Sequence, residues 1–303
     1  MTQTPYRLAV MKTGGARVVV VEHAGRMLPL GDVLAGTDLA GTLSDLGPVI
    51  AQWDRYGPAI DTAVATGIVA QSAETISADG VQLAMPFASP PNLICIGANY
   101  HDHVAEMPIP MVPTQPYAFL KPTRNTLRGT GDAVTAPRHV TMFDFEAELA
   151  VVIGRACKDV TEADALAYVA GYCNFNDLSA RDWIASRPPI GIDWFLHKGH
   201  DGFAPMGPYF LPARFVADPQ DLPVRLSVNG VVKQDSTTAQ MIYGVAAIIA
   251  HLSRTATLLP GDIIATGTPA GVGHGRHPPE YLKPGDEICM EIGALGRLVT
   301  PIV

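Results

Sequence analysis

The chain has 303 residues, 48% of them hydrophobic and only 17% charged, with a formal net charge of −8. That balance excludes a disordered chain, which cannot bury enough apolar surface to offset its conformational entropy. An acidic chain without a basic run also lacks the surface that tracks nucleic-acid phosphates.

The N-terminal MTQTPYRLAVMKTGG has no apolar stretch of the secretory type, so a cytoplasmic protein is expected. Residues 6–11 (YRLAVM) and 17–22 (RVVVVE) predict two strands joined by a Gly14-Gly15 turn. Between 44 and 66, Leu46, Val49, Ile50, Trp53 and Ile60 recur near a helical period, with an interruption at Gly57-Pro58. A looser segment ends in MPFASPPN, where Pro90-Pro91 reads as a linker. A small N-terminal α+β accessory domain is therefore expected over 1–89, and the main domain over 90–303.

The main domain predicts strands at 92–98, 117–121, 145–153, 224–229, 262–266, 287–292 and 298–303. Asn229-Gly230 predicts a type I′ hairpin, which requires positive φ at both central residues. One helix is expected over 161–169, opened by Thr161 as N-cap with Asp164 three residues on. A second is expected over 237–254 on the apolar stripe of Met241, Val245, Ile248 and Leu252. Strands and helices do not alternate regularly, which argues for an α+β, β-rich fold with a mixed sheet over a doubly wound parallel one. The longest apolar runs, such as VAAIIA at 245–250, fall far short of a membrane span. Cys95, Cys157, Cys173 and Cys289 are widely spaced, three of them inside apolar runs, so free thiols in a reducing compartment are expected.

One strand-like segment, FDFEAELAVVIG at 143–154, alternates Asp144, Glu146 and Glu148 with Phe143, Phe145, Ala147 and Leu149. Residues two apart on a strand share a face, with roots roughly 7 Å apart. Two half-buried carboxylates at that spacing repel each other and lose hydration. Either the face is exposed and its acids are solvated or paired, or a hard divalent cation gathers them. In GYCNFNDLSARDW, Asp177 falls where a strand is expected to run into a helix, so plain N-capping is its alternative. His103 and Glu106, three apart on one turn, have the spacing at which a carboxylate holds Nδ1–H and leaves Nε2 free to take a proton. His101 competes for that role, and a surface pair is the alternative. The loop TGTPAGVGHG (266–275) has no helix after it, so its glycines do not suit a dinucleotide; its backbone N–H groups suit a carboxylate.

ICIGANYHDHVAEM, FLKPTRN, FDFEAELAVVIGR, GYCNFNDLSARDW, HKGHDGFAPMGPY, LSVNGVVKQDSTTAQMIY and GDIIATGTPAGVG, in that order from about residue 90, resemble the fumarylacetoacetate hydrolase superfamily. The likeness is to its acylpyruvase-like and 2-hydroxyhepta-2,4-diene-1,7-dioate isomerase-like members. It implies a mixed β-sheet roll, with the first ninety residues similar to a small accessory domain of bacterial members. It implies that Glu146, Glu148 and Asp177 hold Mg²⁺ or Mn²⁺ and that His103 and Glu106 activate water from a segment that closes as a lid. Lys198 is implied to reach into the pocket, Arg181 to lie near the substrate, and Lys121 and Thr268 to line its wall. Without the resemblance, Lys198 reads as a surface-turn lysine and Arg181 as a partner of Asp182 or Glu162. Asp144 is left as a strand-end or supporting residue. The segment 184–197, with Pro188-Pro189, is a further candidate for a pocket wall. Asp201 is followed by Gly202 where relatives often carry threonine, which bears on the substrate rather than on the metal.

The implied activity is hydrolysis of a C–C bond in a small 2,4-dioxo acid, with a homodimer, a 2-oxo acid partner and a place in aromatic-compound catabolism as further expectations. Isomerisation, hydration or oxaloacetate-type decarboxylation of a related 2-oxo diacid is the alternative. A magnesium-dependent nuclease is opposed by the missing basic groove, and a non-catalytic metabolite binder by the His103–Glu106 pair.

Overall fold

The computed structural model describes residues 5–107, 110–185 and 191–303. Among these residues its largest sheet has twelve strands, with Leu83–Ala84 and Leu127–Arg128 pairing off a path of ten in the order Ile76–Ser77, Arg26–Pro29, Ala16–His23, Arg7–Thr13, Ala204–Pro212, Val169–Asn176, Ala147–Ile153, Ile263–Ala265, Leu93–Gly97 and Tyr117–Leu120. Along this path neighbours are antiparallel, except that Ile263–Ala265 runs parallel to Leu93–Gly97. A four-stranded antiparallel sheet is made by Val231–Thr237, Pro223–Val228, Glu287–Ile292 and Arg297–Pro301. This is an α+β fold with a mixed sheet.

Both faces of the large sheet are covered, and the central strands show why they read as continuous apolar runs. On Ala147–Ile153, Leu149, Val151 and Ile153 join a core with the four-stranded sheet and the Val245–Thr255 helix. Ala150 and Val152 face the other way, into a core shared with Leu8, Val10, Ile50 and Ile60 of the first ninety residues. Those residues thus contribute strands to the same sheet as the main body, through Leu8 opposite Phe210.

The hairpin turns follow their glycines. Asn229 and Gly230 have φ of 51° and 77°, and Gly14 and Gly15 are also left-handed, as tight turns between twisted strands require. Several expected helices are shorter. The 237–254 pattern gives a 3-10 turn at Thr238–Gln240 and becomes α-helix only at Val245, because Ile242 and Tyr243 donate their N–H groups to Asn99 and interrupt the helical pattern. Over 161–169 only Glu162–Ala165 is α-helical. The Thr161 hydroxyl donates to the Asp164 carboxylate at 2.7 Å instead of capping a backbone N–H. The 44–66 pattern breaks at Gln52, between helices Gly47–Ala51 and Trp53–Ala65, and Pro58 sits inside the second. Among the described residues no helix is long and apolar enough to cross a membrane.

Candidate metal centre

Glu148 has the strand parity of Ala150 and Val152, while Phe143, Phe145 and Leu149 pack into the opposite core. Glu146 precedes the first ladder residue of the same strand, and both glutamates emerge where the second core opens into a cavity of about 270 Å³. Asp177 arrives there as the residue after Val169–Asn176, its N–H donating to the Glu146 carbonyl at 2.9 Å. All three side chains are buried, and one carboxylate oxygen from each lies within 4.8 Å of the others.

Asp177 caps no helix, because the chain continues into the short Ser179–Ala180 strand. Its carboxylate instead accepts from Lys121 on one oxygen and from Lys198 Nζ, at 2.6 Å, on the other. Lys198 also donates to Glu146 Oε2 at 2.8 Å, so its ammonium sits between two of the three acids. Arg181 pairs with neither Asp182 nor Glu162. Its Nε donates to Asp144 Oδ2 at 2.8 Å and its Nη2 to Glu146 Oε1 at 2.5 Å. Lys121 lies behind Asp177, bonded also to the Leu178 and Phe203 carbonyls, and supports the floor of the cavity instead of lining its wall. Thr268 does line the cavity; its hydroxyl donates to the Ala147 carbonyl at 2.9 Å and accepts from Gln234 Nε2.

The glycine-rich loop after Ile263–Ala265 receives carboxylates of this same chain. Gly267 N–H donates to Glu148 Oε2 at 2.9 Å, Gly271 N–H to Glu106 Oε2 at 2.8 Å, and the Gly273 and His274 N–H groups to the two oxygens of Asp144. Such close backbone approach requires glycine. A Cβ on Gly271, whose φ is +101°, would lie 2.2 Å from the Lys233 carbonyl, and one on Gly273 would lie 1.9 Å from that of Glu280. Asp144, with four donors, is thus the anchor of Arg181.

His103 is buried in the cavity wall, on the His101–Glu106 helix, with Nδ1 2.6 Å from Glu106 Oε1. Glu106, fixed by Gly271, thereby assigns the proton to Nδ1 and leaves Nε2 as the basic atom. His101 is exposed and outside the cavity wall. Gly202 adopts φ of +81° against Val134, a conformation a threonine would strain, so the hydroxyl missing there reflects backbone geometry. Of segment 184–197, Ile184, Ile192, Trp194 and His197 line the cavity, whereas Pro188-Pro189 lies outside the described residues.

The two neighbouring glutamates titrate in opposite directions. Burial pushes Glu146 up, but Lys198 and Arg181 outweigh it and hold the carboxyl well below the usual range. Burial pushes Glu148 up as well, and Asp177 and Glu146 add to that push. Glu148 has no ion-pair partner among the described residues, only the Gly267 N–H. Around the cavity floor, Asp144, Glu146, Glu148, Asp177 and Glu106 face Lys121, Lys198 and Arg181, which leaves two negative charges unmatched. An all-oxygen set with that excess fits a hard divalent cation, with Glu146, Glu148 and Asp177 as the residues to hold it.

Trp194 and His197 fall inside the 184–197 segment expected as a pocket wall, whereas Tyr117 and Phe119 escaped the sequence reading as site residues because no charge pattern marks them. The aromatic alternation of YAF at 117–119, on a segment read only as a strand, is the signal that could have found these two.

Comparison with known proteins agrees with this geometry. The fumarylacetoacetate hydrolase C-terminal family model matches residues 92–303. The mitochondrial oxaloacetate tautomerase of Xenopus laevis is 41% identical over 228 residues, covering 75% of this chain and 70% of that one. The 2,4-didehydro-3-deoxy-L-rhamnonate hydrolase of Sphingomonas sp. (strain SKA58) is 44% identical over 205 residues, covering 67% of this chain and 70% of its own. In three dimensions the chain superposes on a fumarylacetoacetate hydrolase from psychrophilic Exiguobacterium antarcticum with a TM-score of 0.78 and 32% identity, covering 98% of this chain and 99% of the other. The chain belongs to the fumarylacetoacetate hydrolase family, whose enzymes typically use a divalent metal.

Proposed function

We propose that this fumarylacetoacetate hydrolase family member is a Mg²⁺- or Mn²⁺-dependent hydrolase that cleaves the C–C bond of a small 2,4-dioxo acid, an acylpyruvate, to pyruvate and a carboxylic acid. The observation that carries the reading is the His103–Glu106 pair, an oriented base facing the same cavity as the three carboxylates. A 2,4-didehydro aldonate is itself a 2,4-dioxo acid, so the named substrate of the Sphingomonas relative belongs to the same chemical class.

The division of labour follows from the contacts. Glu146, Glu148 and Asp177 would hold the ion. When bound, such a cation supplies Lewis-acid stabilisation of negative charge developing on the substrate's 2-oxo oxygen. His103 Nε2 takes a proton from the water that attacks the 4-oxo carbon, and Glu106 stabilises the imidazolium through Nδ1. The bond between carbons 3 and 4 then breaks, its electron pair passing to carbon 3, and a proton delivered there completes pyruvate. Lys198 and Arg181 keep Glu146 ionised and fixed in place.

Keto–enol exchange of oxaloacetate is the second reading, favoured by the 41% identity to the Xenopus tautomerase. It needs a base and the same acids, but no attacking water. Turnover in H₂¹⁸O with Mg²⁺ separates the two. Hydrolysis places the label in the released carboxylic acid. Fast keto–enol conversion of oxaloacetate with acylpyruvates left intact would overturn the hydrolytic reading in favour of the second.

A further inference from the structure

The cavity is also lined by aromatic and aliphatic side chains, with Tyr117 and Ile192 exposed at its mouth. Trp194 stacks on Phe119 with ring centroids 4.2 Å apart and planes 12° from parallel. Its indole N–H donates to the Tyr117 hydroxyl at 2.9 Å, and Ile96 and Ile192 extend the same wall. Two cations line the cavity among the described residues, and both are already committed. Arg181 is held by Asp144 and Glu146, and Lys198 by Glu146 and Asp177. Two histidines also line it. His103 is tied to Glu106, while His197 lies fully buried beneath Trp194, its Nδ1 2.8 Å from the Ala180 carbonyl. Burial, Lys198 and Arg181 together push His197 down to about 2, so it stays neutral. A second carboxylate placed against this wall would find no free cation among these described residues and would gain nothing from the stacked rings.

We infer that the enzyme selects acylpyruvates whose acyl group is uncharged and apolar, with Trp194 and Phe119 as the specificity-determining pair, and discriminates against diacids. This rests on the acylpyruvate reading and narrows it. A flat acyl group gains ring contacts of the kind Trp194 already makes with Phe119.

The test uses the Mn²⁺-loaded enzyme with benzoylpyruvate and fumarylpyruvate, which share the pyruvate end and differ in the charge of the other. The wild type is expected to favour benzoylpyruvate in kcat/KM by about tenfold or more. Trp194→Ala should shrink that ratio, mainly through KM, and Trp194→Phe should retain most of it. Trp194→Arg, which adds a cation to the wall, should move the ratio toward fumarylpyruvate. A wild type that prefers fumarylpyruvate, or a ratio unmoved by both the Ala and Arg variants, overturns the inference. If neither compound is cleaved, the hydrolytic reading fails. Calorimetric affinities of the same two compounds for the wild type and for Trp194→Arg then decide the selectivity claim alone, by the same ratio.

Discussion

At the floor of the cavity, buried acids and bases interlock by charge-assisted hydrogen bonds; in its wall, Tyr117, Phe119 and Trp194 are held by ring contacts and one indole hydrogen bond. The floor has a single workable arrangement, because each lysine or arginine removed strands an ion in low dielectric. The wall tolerates change in proportion to the area it loses, since apolar contacts are many and individually small. This difference suits a site that keeps one chemistry fixed while its choice of substrate varies.

The largest effects should therefore come from breaking the floor. Asp177→Asn removes the charge that Lys121 and Lys198 share, and a cost of about 3–5 kcal/mol in unfolding free energy is expected from urea titration. Trp194→Ala, at a half-buried site, should cost clearly less, and equal losses would erase the contrast between floor and wall. Next comes the base. His103→Ala should lower kcat by about 10²–10⁴-fold while leaving Mn²⁺ affinity intact, and His101→Ala, on the exposed side of the same helix, should leave kcat near wild type.

Glu148 sharpens the comparison from within the floor, because its substitution should act in the opposite direction. Its folded pKa is raised by burial and by Asp177 and Glu146. Without metal, the folded state therefore holds its proton more tightly than the unfolded state, and ionised Glu148 costs stability once pH exceeds the unfolded value. Glu148→Gln should stabilise the metal-free protein at neutral pH by about 1 kcal/mol or more, with the gain fading as pH falls through the unfolded carboxyl range. The same variant should lose the rise in melting temperature that Mn²⁺ gives the wild type.

Regions governed by strand periodicity were legible in the sequence. Val18 to Val21 and the paired turns at Gly14-Gly15 and Asn229-Gly230 read directly, because alternation and positive φ leave local signatures. The helix boundaries at Gln52 and Val245 did not; at Val245 the hydrogen bonds that Ile242 and Tyr243 donate to distant Asn99 override local pattern. In the site, the paired glutamates were visible as an anomaly in an apolar strand. The glycine-rich loop at 266–275 was also legible as a receiver of carboxylates, but which carboxylates it receives, Asp144 as the anchor of Arg181, and Lys121 beneath Asp177 depend on contacts far apart in the chain, and no spacing encodes them.

The central claim is that Glu146, Glu148 and Asp177 converge because a divalent cation belongs between them. The most direct measurement is anomalous diffraction at the manganese edge from crystals grown with Mn²⁺. One peak per chain is expected, bonded to all three carboxylates at about 2.0–2.3 Å. No peak at millimolar Mn²⁺, or a peak elsewhere in the chain, would contradict the account.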